Sequence, residues 1–318
     1  MRSNLTSRGL VILVAMLGTA PGQTQEPAED VAPPRRIVLK PATAVPPPPA
    51  QPEPGDGFQV DAAEREIVID RGGSGGARRF RIPLNTSVEP AISSRVELSG
   101  GQFQYRYSLT NGPGAKRDIE LFAVGTPRPE LCMDARFPSS FRSPSVSSAA
   151  WGTSPRLNFW AQAPPGLAPG QSAGPFSFHS PLLPGLTKAY VMSSTPPRPT
   201  LGEMRLSAWL LWQLEEALKF ENNTVQPAIV GPKIEKPDPE HDDQLAEAIR
   251  QEFLEASLLP EFKEQQVYLR AIAAQLSKGA STSAGALVDS LKTAGNTPLQ
   301  KSFFEAMALN LTILETLR

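Results

Sequence analysis

The sequence predicts an antiparallel immunoglobulin-like β-sandwich followed by a small C-terminal helical bundle, a multidomain all-β plus all-α chain. Two observations predict it. Residues 58–200 hold several short segments that alternate apolar and polar side chains, separated by Pro- and Gly-rich turns. That is the pattern of a sandwich. Residues 201–318 instead place apolar residues three and four apart between capping signals, the pattern of amphipathic helices.

The chain opens with a targeting pattern. Arg2 and Arg8 give residues 1–22 a positive start, Leu10 to Leu17 an apolar run, and Ala20 and Gly22 the small residues that precede a signal-peptide cut at Gln23. The apolar run is shorter than the roughly 20 residues a spanning helix needs. The mature chain is therefore expected to carry no integral membrane span and to be secreted or periplasmic. Between Pro21 and Pro54 stand eleven of the 34 prolines, including Pro46 to Pro49. Residues 23–57 are accordingly expected to be a disordered Pro-rich linker, interrupted by Arg35 to Lys40.

Within residues 58–200, Glu66 to Asp70 and Arg79 to Leu84 read as short strands, the second ended by Pro83. Gln102 to Thr110 alternates strictly, with Phe103, Tyr105, Tyr107 and Leu109 on one face. Asn111-Gly112 reads as a turn, and Asp118 to Val124 as the hairpin partner of the preceding strand. Arg156 to Gln162, Gly174 to Ser180 and Lys188 to Ser193 complete the set, and residues 126–148 read as one long surface connection.

Residues 201–318 form the expected helical region. Glu203 to Phe220 has no internal Gly or Pro. A helix opening at Asp242 carries Leu245, Ile249 and Phe253, and Pro260 separates it from one carrying Leu269, Ile272 and Leu276. Ser281 or Thr282 is expected to cap a short helix with Leu287, Val288 and Leu291. Thr297-Pro-Leu-Gln300 is a capping box with proline at the first helical position, and the helix after it presents Phe303, Phe304, Met307, Leu311 and Leu314.

Several of these segments together resemble a family of exported bacterial proteins of unassigned function. They are Phe103 to Gly112, Phe159 to Ala161, Leu167 to Gly170, Phe176 to Ser180 and Leu183 to Gly185. In that family such a sandwich precedes a segment like Asn222 to Gln226 and Val230 to Pro232, and then a helical tail similar to the FIMAH domain. Gly285 to Ala294 resembles the FIMAH pattern: Leu287, Leu291 and Ala294 match, while Ala286 and Ser290 depart from it. The resemblance implies an extracellular accessory or interaction module and transfers no site residue.

Composition narrows the chemistry. Two His and one Cys leave no Cys/His zinc site, iron–sulfur cluster or intrachain disulfide framework. A net charge of −1 gives no electrostatic case for nucleic acid. That balance hides a basic 58–200 segment (15 Lys+Arg, 10 Asp+Glu) and an acidic 201–318 segment (11 and 17). Gly72 to Gly76 lacks the Gly-Lys-Ser/Thr of a phosphate loop and reads as a turn. Cys132 has no His placed beside it by sequence and is expected to be inert. His179 falls on a strand, and His241 at an acidic helix start. Asp238, Glu240, Asp242 and Asp243 lack calcium-loop order and read as solvated cap charges. Trp151, Trp160, Trp209 and Trp212 read as packing residues, a carbohydrate platform being the alternative. No catalytic, cofactor-binding or metal residue is assigned, and no cofactor is expected.

The sequence therefore predicts an exported non-catalytic protein with a surface interaction or assembly role, its partner an envelope or extracellular protein or glycan. The alternative is a secreted hydrolase acting on cell wall or polysaccharide through an Asp/Glu pair. A fimbrial-type chaperone would instead require an exposed apolar edge strand.

Overall fold

The first sheet is a meander of β1 (Gly57–Asp61), β2 (Glu66–Arg71) and β3 (Arg78–Pro83). In the computed structural model, the described residues are 52, 54–72, 76–147, 154–162, 166–193, 204–219, 222–237 and 239–318. All belong to the compact unit Pro48–Arg318. The expected signal at 1–22 and most of the expected linker lie outside the described residues, as do Gly73 to Gly75. The end of the linker segment is ordered: Asp56 accepts the Gly72 N–H at 3.2 Å, and Gly57 starts β1.

Alternation along β2 and β3 puts Ile67, Ile69 and Ile82 on one buried face. A single three-stranded sheet must cover that face, and the cover comes from far downstream. Helix α1 (Ala208–Ala217) supplies Leu210 and Leu214, and Met204 joins them just before it. Ser207 caps the helix by accepting the Leu210 N–H, so α1 starts later than Glu203. Trp209 packs on this small core.

The sandwich consists of two antiparallel sheets. One contains β4 (Pro90–Ser99), β5 (Gln102–Asn111), β7 (Met133–Arg136) and β10 (Ser172–Ser180), in the order β4-β5-β10-β7. The other contains β6 (Ile119–Gly125), β8 (Ser145–Ser147), β9 (Arg156–Trp160), β11 (Leu183–Ser193) and β12 (Ala228–Ile234), in the order β12-β11-β6-β9-β8. Their inner faces meet in an aromatic core. Tyr107 stacks on Phe178 and meets Phe122 edge-on, and Phe176 contacts Phe122, Phe141 and Phe159 with centroids 4.8–5.2 Å apart. Each fully buried ring contributes about 1.5–3 kcal/mol by leaving water.

The expected hairpin between Gln102–Thr110 and Asp118–Val124 does not form. β5 pairs with β4 and β10, whereas β6 lies in the opposite sheet between β11 and β9. Asn111 explains the difference. Its side chain is fully buried, donating to Arg117 O (2.8 Å) and Leu167 O (2.9 Å) and accepting from Glu89 N (3.2 Å). It ties down a crossing between the sheets rather than a tight turn. The 126–148 connection likewise contains two short strands, β7 and β8.

The C-terminal helices are α2 (Asp242–Ala256), α3 (Gln266–Leu276), α4 (Ser281–Ala294) and α5 (Pro298–Leu317). Their predicted apolar positions are buried, Leu287 only partly. The capping box forms as predicted: Gln300 N donates to Thr297 Oγ1 and Thr297 N to Gln300 Oε1, both at 3.2 Å. At α4, Ser281 is already helical and Ala280 stands at the cap without a side-chain bond. The helices share one continuous apolar core with the sandwich. α5 lies along β4, β11 and β12, and Asn310 donates to Pro184 O at 2.7 Å, where the β11–β12 register shifts.

Candidate functional site

The outer face of the five-stranded sheet has small residues at its centre. Ala123 stands between Asn158 and Tyr190, and Gly125 opposite Arg156. A side chain at Gly125 would lie 2.9 Å from both Lys188 O and Thr187 Oγ1. The glycine instead leaves its carbonyl free to accept the Thr187 hydroxyl at 2.9 Å. Beside it opens a cleft of about 450 Å³, whose walls include Thr126, Tyr190, Lys188 and Lys233.

The floor of this region is fixed by hydrogen bonds. Arg156 is buried, with its guanidinium 5.6 Å from the Tyr190 ring centroid. It donates to Asn158 Oδ1 (3.1 Å) and Ser154 O (3.0 Å). Asn158 in turn donates to Ser145 O and Ser147 Oγ. The cleft is lined mostly by apolar surface, with the Lys188 ammonium, the Thr126 and Thr187 side chains and the Tyr190 ring at its walls.

At its rim, Lys233 bridges two carboxylates of α2, Glu252 Oε1 at 2.8 Å and Glu255 Oε2 at 2.5 Å. Glu252 is only 2% exposed and also accepts the Leu186 N–H at 2.5 Å. Burial raises the Glu252 pKa above the ordinary carboxylate value, and the Lys233 charge opposes the rise. These carboxylates converge on one ammonium that joins helix to sheet. Sequence reasoning did not single out Glu252, since Glu-Phe-Leu-Glu on a helix carries no mark of burial for its first acid.

The residues weighed from sequence fall in separate places. Cys132 packs against the sandwich core, where burial pushes its thiol up to about 12, Glu130 adding to the rise and a Ser180 hydrogen bond opposing it. His179 follows Phe178 and precedes Ser180 on β10, so it faces away from the thiol's Ser180 partner. Its Nδ1 lies 3.8 Å from Asp134 Oδ2. His241 ends a short 3₁₀ turn before α2 and makes no cap bond, while Asp242 pairs with Arg318 at 2.8 Å. Asp238 and Trp151 lie outside the described residues. Trp160 is partly exposed at the end of β9, and Trp212 is half-buried on α1. Among the described residues, no group of three or more His, Cys, Asp or Glu could hold a metal ion, and no helix is long and apolar enough to cross a membrane.

No protein-family model and no curated sequence matches the chain. Among solved structures, an uncharacterized protein from Nocardia farcinica, described as having an immunoglobulin-like fold, is similar at TM-score 0.25 and 14% identity. The match covers 34% of this chain and 87% of that one.

Proposed function

We propose that the chain is an exported, non-catalytic protein that binds an envelope or extracellular protein partner in a surface interaction or assembly role. One observation carries the reading. Leu258, Val267 and Tyr268 are 75%, 77% and 55% exposed at the junction of α2 and α3, where Gln266 Nε2 donates to Ser257 O at 3.0 Å. Large apolar side chains held in water on an ordered helical surface suit a partner that buries them. The resemblance of Gly285 to Ala294 to the FIMAH pattern supports the same reading, and residues 1–22 support export to a secreted or periplasmic location.

The test is affinity capture from the native envelope fraction with the chain lacking residues 1–22. A parallel capture uses a Leu258→Ser, Val267→Ser, Tyr268→Ser variant whose unfolding midpoint matches the parent. The expected result is one protein retained by the parent and lost by the variant. Recovery of nothing above background, or of the same protein by both, overturns the proposal.

A further inference from the structure

The β2–β3 hairpin treats its arginines in two ways. Arg79, opposite Asp70, makes a bidentate pair at 2.6 and 3.0 Å, and Arg81 pairs with Glu66 at 3.1 Å. Arg71 and Arg78 stand directly opposite each other across the strands. Like charges in that register repel, and neither has an ion pair or side-chain hydrogen bond among the described residues. By alternation they share the face of Ile69 and Phe80, at the end where the buried apolar surface stops.

The same corner is tied to the start of α1. Asp56 accepts the Gly72 N–H through Oδ1 (3.2 Å) and the Ser207 hydroxyl through Oδ2 (2.5 Å). Arg205, two residues before Ser207, is exposed, has φ +44°, and also lacks a partner among the described residues. The two bonds to Asp56 bring Gly72, next to Arg71, and Ser207, two residues after Arg205, to one carboxylate, and the strand register sets Arg78 opposite Arg71. Gly72 is required there, because a Cβ would sit 2.3 Å from Pro54 O.

We infer that this corner is an oxyanion-binding site for a phosphate or sulfate group, free or carried on an anionic polysaccharide. Guanidinium forks match tetrahedral oxyanions, and a ligand held between the two facing arginines would relieve the repulsion between them. The inference is independent of the protein-binding role proposed above and uses a different surface.

The test titrates the full chain with inorganic sulfate by calorimetry and, in a second arm, measures the salt needed to elute it from immobilised heparin. Arg71→Gln and Arg78→Gln are each expected to weaken binding about tenfold. Arg136→Gln, which removes an exposed arginine of β7 that has no ion pair among the described residues, is the charge-matched control and is expected to leave binding unchanged. Saturable sulfate binding assigns the free ion, and heparin retention alone assigns the polymer. The inference is overturned if neither binds, or if Arg136→Gln weakens binding as much as the other two. Envelope capture is expected to be unchanged by Arg71→Gln, so failure here leaves the protein-binding reading intact.

Discussion

Tyr105 and Tyr107 stand two residues apart on one face of β5, and removing either hydroxyl should move stability in opposite directions. Both side chains are buried and both contact Phe178. The Tyr105 hydroxyl donates to Leu182 O at 2.7 Å, whereas that of Tyr107 meets no protein partner among the described residues. Tyr105→Phe therefore loses a hydrogen bond with a net value of about 0.5–1.5 kcal/mol and leaves a carbonyl short of its donor, for a total of about 1–2 kcal/mol. Tyr107→Phe keeps the ring contacts and removes a buried polar group that costs about 1–3 kcal/mol when unsatisfied. A gain of about 1 kcal/mol is the conservative expectation. At about 2–4 °C per kcal/mol for a chain of this class, Tyr107→Phe should raise the Tm by about 2–4 °C and Tyr105→Phe lower it by about 2–8 °C. Differential scanning calorimetry of the three proteins at one pH decides it. An equal fall in both variants would refute the reasoning, because it would mean the Tyr107 hydroxyl is bonded in the folded chain.

Three further expectations follow from single contacts. Thr297→Ala removes one half of the α5 capping box and should cost about 1 kcal/mol, read as a shift in urea midpoint, while Thr297→Ser should be close to neutral. Cys132, with its pKa raised from 9.0 to about 12, should react with iodoacetamide about 1000-fold more slowly in the folded chain than in urea, and comparable rates would contradict its burial. Glu252 has a folded pKa above its ordinary 4.5, so in the window above pH 4.5 the folded chain holds a proton the unfolded chain has released, and stability falls as pH rises through it. Glu252→Gln keeps an oxygen for Leu186 N–H and removes that dependence, so its stability relative to the parent should rise with pH across the window. A constant difference in urea midpoint would count against the buried carboxylate.

What the sequence made legible depended on range. β5 and α5 were readable because each carries its own signal, strict alternation in one and a complete capping box in the other. The β5–β6 pairing was not, because Asn111-Gly112 has turn chemistry in isolation and only the packed sandwich reveals that Asn111 is buried between the sheets. β12 was missed for a related reason. Gly231 and Pro232 interrupt its pattern, yet Gly231 fits where a Cβ would lie 2.6 Å from Thr187 Cγ2. The meander–α1 core joins segments more than a hundred residues apart, so no window contains it. The oxyanion corner was equally hidden: Arg71 and Arg78 become opposite only once the hairpin register is known, and Gly72 to Gly76 alone reads as a turn.

Residues 58–200 are basic and residues 201–318 acidic, yet the structure joins them by means other than ion pairs. Among the described residues, Arg128–Glu235 is the one ion pair linking residues 58–200 with 201–318, and both side chains are exposed, so it contributes little. The joint is instead the β11–β12 backbone ladder and apolar packing, with an added carboxylate–amide bond at Leu186 and a buried amide bond at Pro184. The sandwich edges explain why. β4 and β12 are edge strands of ten and seven residues, and unpaired strands of that length invite association with other chains. α5 lies along both. The opposite edges, β7 and β8, are four and three residues long, too short to need a cover. The helical region is therefore the element that closes the sandwich's long side. Because strand pairing and apolar burial make that closure, it draws on neither Arg71 nor Arg78, which keep their charges without an ion pair among the described residues.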